Sequence, residues 1–279
     1  MAETQPLPIH VVIPDTQVRP GVPTAHLGWI GRYIAQKFVG RPNVKVIHLG
    51  DHWDMPSLSS YDKKGGQRME GRRYAADVQA GIDALDLLTK PIRQAVARSA
   101  KRGGAGVELH LLRGNHEHRI TRAAEQDAVL AGTLTLDDLE SPDWAVHDFL
   151  EVLDLDGVWY SHYFANPQTG RPYGGMIETR IRAVGNSFTM GHQQDFKYGE
   201  LPIIRGRRHG MVAGACYLHD EAYRGPQGNR EWRGIVVCHG VHNGEYDLMK
   251  VDLDYLCRRY EGVSLREFVP GIGTGRNAV

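Results

Sequence analysis

The chain has 279 residues, and its 33 Lys and Arg residues balance its 33 Asp and Glu residues, so the formal net charge is zero. Hydrophobic residues make up 41% and charged residues 24%, which is typical of a globular protein and excludes a disordered, fibrous or disulfide-stapled chain. Zero net charge also argues against a nucleic-acid coat protein, whose phosphate contacts need a surplus of basic residues.

The cysteines and the apolar runs indicate the compartment. Cys216, Cys238 and Cys257 lie far apart and form no Cys-x-x-Cys pair, which favours reduced thiols. The first seven residues have neither the basic nor the apolar region of a signal peptide. No apolar run approaches the roughly 18 residues of a membrane helix. We therefore expect an intracellular, cytoplasmic protein with no membrane partner.

Short apolar runs rich in β-branched residues alternate with helical stretches, the pattern of an α/β protein. The first predicted elements are a strand at 9–13, a helix at 26–38, a strand at 44–49, a basic loop at 55–74, a helix at 75–100 with a break near Pro91, a strand at 107–112 and a helix at 118–130. The later ones are two strands within 149–163, a helix at 175–184, and strands at 187–190, 211–218, 235–238 and 247–253. Helix-linked strands followed by hairpin-linked strands predict two mixed sheets with helices outside.

Side chains that can bind a metal follow five of the predicted strands. They are Asp15 with Gln17, Asp51 with Asp54, Asn115 with His116, then His162, and finally His192 with Gln194. Ligands in α/β sheets collect beyond the carboxyl ends of strands. Each pair alone is ordinary turn chemistry, since Gly-Asp and Gly-Asn are common turn residues. Their joint occurrence in five turns favours a shared metal site.

This series resembles the calcineurin-like metallophosphoesterases, whose pattern is D-x-H, G-D-x-x-D, G-N-H-E, a lone H and G-H-x-H. The matching stretches are Asp15-Thr16-Gln17, Gly50-Asp51-His52-Trp53-Asp54, Gly114-Asn115-His116-Glu117, Ser161-His162 and Gly191-His192-Gln193-Gln194. The stretches at 13–17 and 56–61 are similar to phage-encoded members of this family.

The resemblance implies one metallophosphoesterase domain over 1–279, with a basic loop insertion at about 55–74. Its fold would be α/β (α+β), with two mixed sheets packed as an αββα sandwich. It also implies two divalent ions bridged by Asp51. One ion would take Asp51, Asn115, His162 and His192, and the other Asp15, Asp51 and the residues at positions 17 and 194. His116 would lie outside the ligands and assist the leaving group.

The chain departs from the family pattern at Gln17 and Gln194, where the pattern has histidines. By the family layout both belong to the same ion, so this ion would have oxygen ligands only. Such a site favours Mn²⁺, with Mg²⁺, Zn²⁺ and iron as alternatives. The alternative interpretation is that this position is lost and that the histidine-containing position alone binds metal.

The resemblance predicts a hydrolase that cleaves phosphodiester bonds, with phosphomonoesters as a second substrate class, by attack of a metal-bridging hydroxide. Its substrate would be a small phosphoester or a nucleotide. A nuclease acting on DNA or RNA and a catalytically weak phosphate-binding scaffold remain alternatives.

Two basic runs and one histidine pair have weaker interpretations. The run Lys63, Lys64, Arg68, Arg72 and Arg73 is either a lid that binds substrate, chiefly through Arg72 and Arg73, or a solvated loop. The run Arg205, Arg207, Arg208 and His209 is interpreted as a turn between strands. His239 and His242 are interpreted as sheet or loop histidines.

Overall fold

The computed structural model describes residues 6–62 and 66–274. The first half contains β1 (Ile9–Ile13), α1 (Ala25–Lys37), β2 (Val44–His48), α2 (Tyr74–Ala100), β3 (Glu108–Leu112), α3 (Arg119–Gln126) and β4 (Ala145–His147). The second half contains β5 (Leu153–Leu155), β6 (Val158–Ser161), α4 (Ile177–Val184), β7 (Ser187–Met190), β8 (Phe196–Ile203), β9 (Gly206–Ala213), α5 (Gly225–Gly228), β10 (Gly234–His242), β11 (Glu245–Asp252), α6 (Leu253–Glu261) and α7 (Leu265–Phe268).

The strands form two mixed sheets. The larger sheet has six strands in the order β11-β10-β1-β2-β3-β4, of which β1 to β4 run parallel and β10 and β11 are antiparallel to their neighbours. The smaller sheet has five strands in the order β5-β6-β7-β9-β8, with a parallel centre and an antiparallel strand at each edge. The prediction of two mixed sheets with helices outside is confirmed.

Successive side chains of a strand point to opposite faces of its sheet, and this alternation creates the layers of the fold. Val12 points to a core shared with Val158, Tyr160 and Met211 of the smaller sheet, so the two sheets pack face to face. Its neighbours Val11 and Ile13 point to the opposite core, which contains residues of α1, α2 and α6. On the far side of the smaller sheet, α4 packs against β7 and β9. The order of layers is helix, sheet, sheet, helix, as the αββα expectation requires.

This arrangement places the candidate ligands together. The strands β1, β2 and β3 are parallel neighbours, so their carboxyl ends lie at one edge of the larger sheet. The strands β6 and β7 are parallel neighbours in the smaller sheet. The loops after these five strands meet across the sandwich, and each carries one or two of the predicted ligands.

Several predicted elements differ from the observed ones. α2 continues without a break through Pro91, because Leu88 and Ile92 on either side of the proline are buried in the core. α3 ends at Gln126, where Asp127 takes extended backbone angles. The strand predicted at 211–218 begins at Gly206 and ends at Ala213.

The second basic run is also placed differently from its prediction. The β8–β9 hairpin pairs Ile203 with Gly206, so only residues 204–205 form the turn, and Arg207, Arg208 and His209 lie in β9. His239 and His242 lie in β10, as a sheet interpretation requires. In the part of the chain that the structure describes, no helix combines the length and the apolar character needed to cross a membrane.

Candidate metal centre

The loops of the site have unusual backbone geometry. Gln17, Asp51, Met55, His192 and Gln194 all have positive φ, between 47° and 66°. This left-handed region is unfavourable for residues other than glycine, and such residues concentrate at functional sites. The loops after β1, β2 and β7 therefore hold their side chains in directions that relaxed turns would not give them.

Four of the predicted ligands converge at the carboxyl ends of the strands. Ligand atoms of Asp51, His162 and His192 all lie within 4.8 Å of one another. The Asn115 amide oxygen lies 3.0 Å from Nε2 of His162 and 2.7 Å from Nδ1 of His192. These four side chains offer a carboxylate, an amide oxygen and two imidazoles, which together can coordinate Mn²⁺, Zn²⁺ or Fe²⁺.

His162 is oriented as a metal-binding histidine. Its Nδ1 donates a hydrogen bond to the Leu49 carbonyl oxygen at 2.8 Å, which directs Nε2 into the cluster. Nε2 there faces two acceptors, the Asn115 amide oxygen and, at 3.4 Å, the Asp51 carboxylate. Such a position needs either a proton or a metal cation between the acceptors. The residues present therefore fit a divalent ion.

The electrostatics of the cluster support the same conclusion. Burial lowers the pKa of His162, but the carboxylate of Asp51 outweighs it and brings the pKa to about 9. Burial and the neighbouring carboxylate of Asp51 raise the pKa of Asp15 to about 7. Burial, together with the nearby His162, lowers the pKa of His192 to about 4. The buried Asp51 carboxylate thus draws positive charge into the cluster, and a divalent cation would supply it.

Small and acidic residues fix Asp51 in place. A Cβ added at Gly114 would overlap the Asp51 side chain, so only glycine lets the loop after β3 approach this carboxylate. Glu117 accepts hydrogen bonds from the backbone N–H groups of Asp51 at 3.1 Å, Trp53 at 2.9 Å and Gly114 at 2.7 Å. Asp51 itself accepts a bond from the His116 backbone N–H at 3.0 Å. Glu117 therefore joins the loops after β2 and β3.

The residues predicted for the second ion are arranged differently. Asp15 is fully buried, and its Oδ1 accepts the His192 backbone N–H at 3.0 Å. Its Oδ2 is buried without a hydrogen-bond partner among the described residues. Gln17 directs its amide Nε2 to the Asp51 carboxylate at 3.2 Å. In this orientation Gln17 presents a donor, and not a ligand oxygen, to the carboxylate.

The amide oxygen of Gln194 is already hydrogen-bonded to three protein side chains. Its amide oxygen accepts hydrogen bonds from the hydroxyl groups of Tyr217 and Tyr223, both at 3.1 Å, and from the Arg224 guanidinium at 3.0 Å. Three donors use the lone pairs of this oxygen, so none is left for a metal ion. The second position thus offers the carboxylates of Asp15 and Asp51 but lacks the amide ligands expected from Gln17 and Gln194. These residues do not fit a second ion.

His116 lies beside the cluster and is held by Asp54 and by two arginines that sequence reasoning did not assign. Its Nδ1 donates to Asp54 Oδ1 at 2.8 Å, and its Nε2 lies 3.7 Å from Asp51 Oδ2. Arg119 approaches Nε2 at 3.2 Å and donates to the Asp54 carbonyl at 2.7 Å. Arg19 donates to Asp54 Oδ2 at 2.7 Å and to Glu221 at 2.8 Å. The Asp in G-D-x-x-D was a sequence signal for Asp54, whereas none identified Arg19 or Glu221.

The two arginines predicted to bind substrate lie on the loop before α2. Arg72 donates to the Pro56 carbonyl at 2.8 Å and to Asp62 at 2.7 Å, so its charge is used within the loop. Arg73 is exposed, and its guanidinium contacts the Arg72 carbonyl at 3.3 Å. Lys63 and Lys64 of the same basic run lie outside the described residues.

Comparison with known proteins adds no assignment, since neither a family model nor a curated protein matches this chain. The function of this chain is therefore inferred from the geometry of the site. The fold and the site define an α+β sandwich with a candidate metal cluster where the two sheets meet.

Proposed function

We propose that the protein is a metal-dependent phosphoesterase that hydrolyses phosphodiester bonds. The observation that carries this proposal is the convergence of Asp51, Asn115, His162 and His192, with the His162 ring oriented by the Leu49 carbonyl. The motif series, which resembles calcineurin-like metallophosphoesterases, adds support. A divalent ion held there would supply Lewis-acid activation of water and of the phosphoryl group.

The four residues would hold this ion. Mn²⁺ is our first choice because Asp51 and Asn115 offer the oxygen ligands that it takes, while the two imidazoles also suit Zn²⁺ and iron. Mg²⁺, Zn²⁺ and iron are the other candidates. Asp51 would be the central ligand, since Glu117 and Gly114 fix both its backbone and its carboxylate. The three free cysteines are all buried, which agrees with our proposal of a reducing, cytoplasmic compartment.

His116 would handle the proton of the leaving group. Its Nδ1 hydrogen bond to Asp54 keeps the Nδ1 proton in place and aims Nε2 at the side of the cluster where Asp51 lies. A proton on Nε2 would pass from there to the departing oxygen. The buried network of Arg19, Arg119 and Asp54 holds the ring in this orientation.

The proposal is tested with Asp51→Asn. Replacing this carboxylate with a neutral amide should abolish Mn²⁺-dependent hydrolysis of an aryl phosphodiester and sharply lower bound metal, measured by elemental analysis after dialysis. Asp247→Asn, which changes an exposed carboxylate in β11, is the matched control and should retain both properties. Activity of Asp51→Asn within a few-fold of the wild type would contradict the assignment.

A further inference from the structure

We propose that Arg224 is a phosphate-binding residue of this site, and that its guanidinium takes the place of a second metal ion. This inference depends on the proposed function, because it assigns a role next to the same cluster. The geometry behind it is the contact between Arg224 and Gln194, on the side of the cluster where the residues do not fit a second ion.

The segment that carries Arg224 is anchored at the site from two directions. Glu221 binds Arg19, which in turn binds the Asp54 carboxylate beside His116. Two and three residues later, Tyr223 and Arg224 both donate to the Gln194 amide oxygen. Asn229 closes the segment by donating to the Glu221 and Gly225 carbonyls, both at 2.8 Å. The segment thus spans from the leaving-group histidine to the loop after β7.

Arg224 has hydrogen-bonding capacity to spare. A guanidinium has five N–H donors, and among the described residues Arg224 uses its Nη1 on Gln194 and forms no ion pair with a carboxylate. The nearby Arg19 and Arg119 differ, because both are within ion-pair distance of Asp54. Arg224 is only partly buried, and none of its nitrogens is among the buried polar atoms that lack a partner in the described part of the chain, so its remaining donors are accessible to a ligand. Planar bidentate donors of this kind match phosphate oxygens.

The charge balance of the site favours such a residue. The Asp51 carboxylate and the neighbouring Asp15 would offset much of the charge of one divalent ion, so an anionic phosphodiester would gain from a further cation beside it. The buried Asp15 Oδ2 has no partner among the described residues, and the Cys216 backbone N–H donates to the Asp15 carbonyl at 2.8 Å. This bond holds residues 216–217 beside Asp15, and the hydroxyl group of Tyr217 joins Arg224 in donating to the Gln194 amide oxygen. Arg224 would restore positive charge on this side.

The test measures phosphate binding and metal content, and not turnover alone. Protein loaded with Mn²⁺ and then dialysed should hold one ion per chain by elemental analysis, in the wild type and in Arg224→Gln. Titration calorimetry with inorganic phosphate should show about tenfold to hundredfold weaker binding for Arg224→Gln, the usual loss of a charged hydrogen-bonding partner. Arg224→Lys should recover part of the affinity, because it keeps the charge but not the planar fork.

Arg230→Gln is the matched control, since it removes an exposed arginine from the same segment. It should bind phosphate as the wild type does. Two tightly held ions per chain would overturn the inference, as would equal phosphate affinity of Arg224→Gln and wild type. Failure of the proposed function has a different signature. In that case no metal would give hydrolysis, yet the phosphate titrations would still report on Arg224.

Discussion

His116 shows how hydrogen-bond donors fix the chemistry of one residue. Because Nδ1 donates to Asp54, Nε2 is the nitrogen available for exchange with a substrate. Arg119 has only donors, so its approach to Nε2 at 3.2 Å is a hydrogen bond while that nitrogen is unprotonated. When Nε2 carries a proton, its nearest carboxylate is Asp51, at 3.7 Å. Protonation at Nε2 therefore exchanges the Arg119 hydrogen bond for electrostatic attraction to the Asp51 carboxylate.

We expect His116→Ala to retain bound Mn²⁺ but to lose about 10²- to 10⁴-fold in kcat for a diester with a poor leaving group, the usual contribution of general acid catalysis. The loss should be smaller for a nitrophenyl leaving group, which departs without a proton. His242→Ala, which alters an exposed histidine in β10, should behave as the wild type. Loss of metal from His116→Ala would instead make this histidine a ligand.

The sequence could indicate which residues meet but not every bond that they make. Asp15, Asp51 and Asn115 follow adjacent parallel strands, so strand prediction alone places them at one edge. The partners of Gln194 could not be predicted in this way. Tyr217, Tyr223 and Arg224 reach it from a segment 23 to 30 residues further along the chain, and no periodic pattern encodes that return.

At the scale of elements, the contact between α1 and α2 depends on a small residue. A Cβ added at Gly31 of α1 would overlap the Leu88 carbonyl oxygen of α2 and lie 3.2 Å from Cγ of Pro91. The backbone carbonyl cannot move away without disturbing α2. One turn earlier, a Cβ at Gly28 would lie 3.3 Å from a Leu87 methyl group, which can rotate. The two glycines therefore differ in what surrounds them, although both lie in the same helix.

Gly31→Ala should destabilise the protein by about 1–3 kcal/mol, the usual cost of overpacking a core. Gly28→Ala is the matched control. Its gain in helix propensity, about 1 kcal/mol, should offset the mild crowding and leave stability near that of the wild type. Urea unfolding followed by circular dichroism measures both. Equal stability of the two variants would show that the helices can separate to admit a methyl group.

Element prediction failed at two edge strands, β4 and β8. β4 has three residues, two of them exposed, and so lacks an apolar run. β8 contains Gly199 and Pro202 and has no buried residue, a composition typical of a loop. It is nevertheless a strand because it pairs with β9 along its whole length. Tertiary pairing supplies what local propensity does not.

The whole molecule contains many buried histidines that are neutral when folded. His26 lies in α1 with its side chain buried, and its Nε2 donates to the Cys216 carbonyl at 2.9 Å. Burial lowers the pKa of His26 to about 3. Burial also lowers the pKa of His10, in spite of its contact with Asp156 across the two sheets. These rings become charged when the chain unfolds in acid, so their burial links folding to pH.

We expect His26 to weaken the fold as the pH falls. Its folded pKa of about 3 is below the unfolded value of 6.5, so between these limits the unfolded chain binds one more proton at this site. The free energy of unfolding should then decrease by about 1.4 kcal/mol per pH unit from His26 alone as the pH falls below 6.5. Urea unfolding of metal-free protein at pH 4 to 7 measures how the free energy of unfolding depends on pH, and thus how many protons the chain takes up on unfolding. This number should fall by nearly one in His26→Gln. It should stay unchanged in the exposed control His242→Gln. If His26→Gln kept the wild-type slope, His26 would be protonated in the folded protein and its burial would have to be relieved by water.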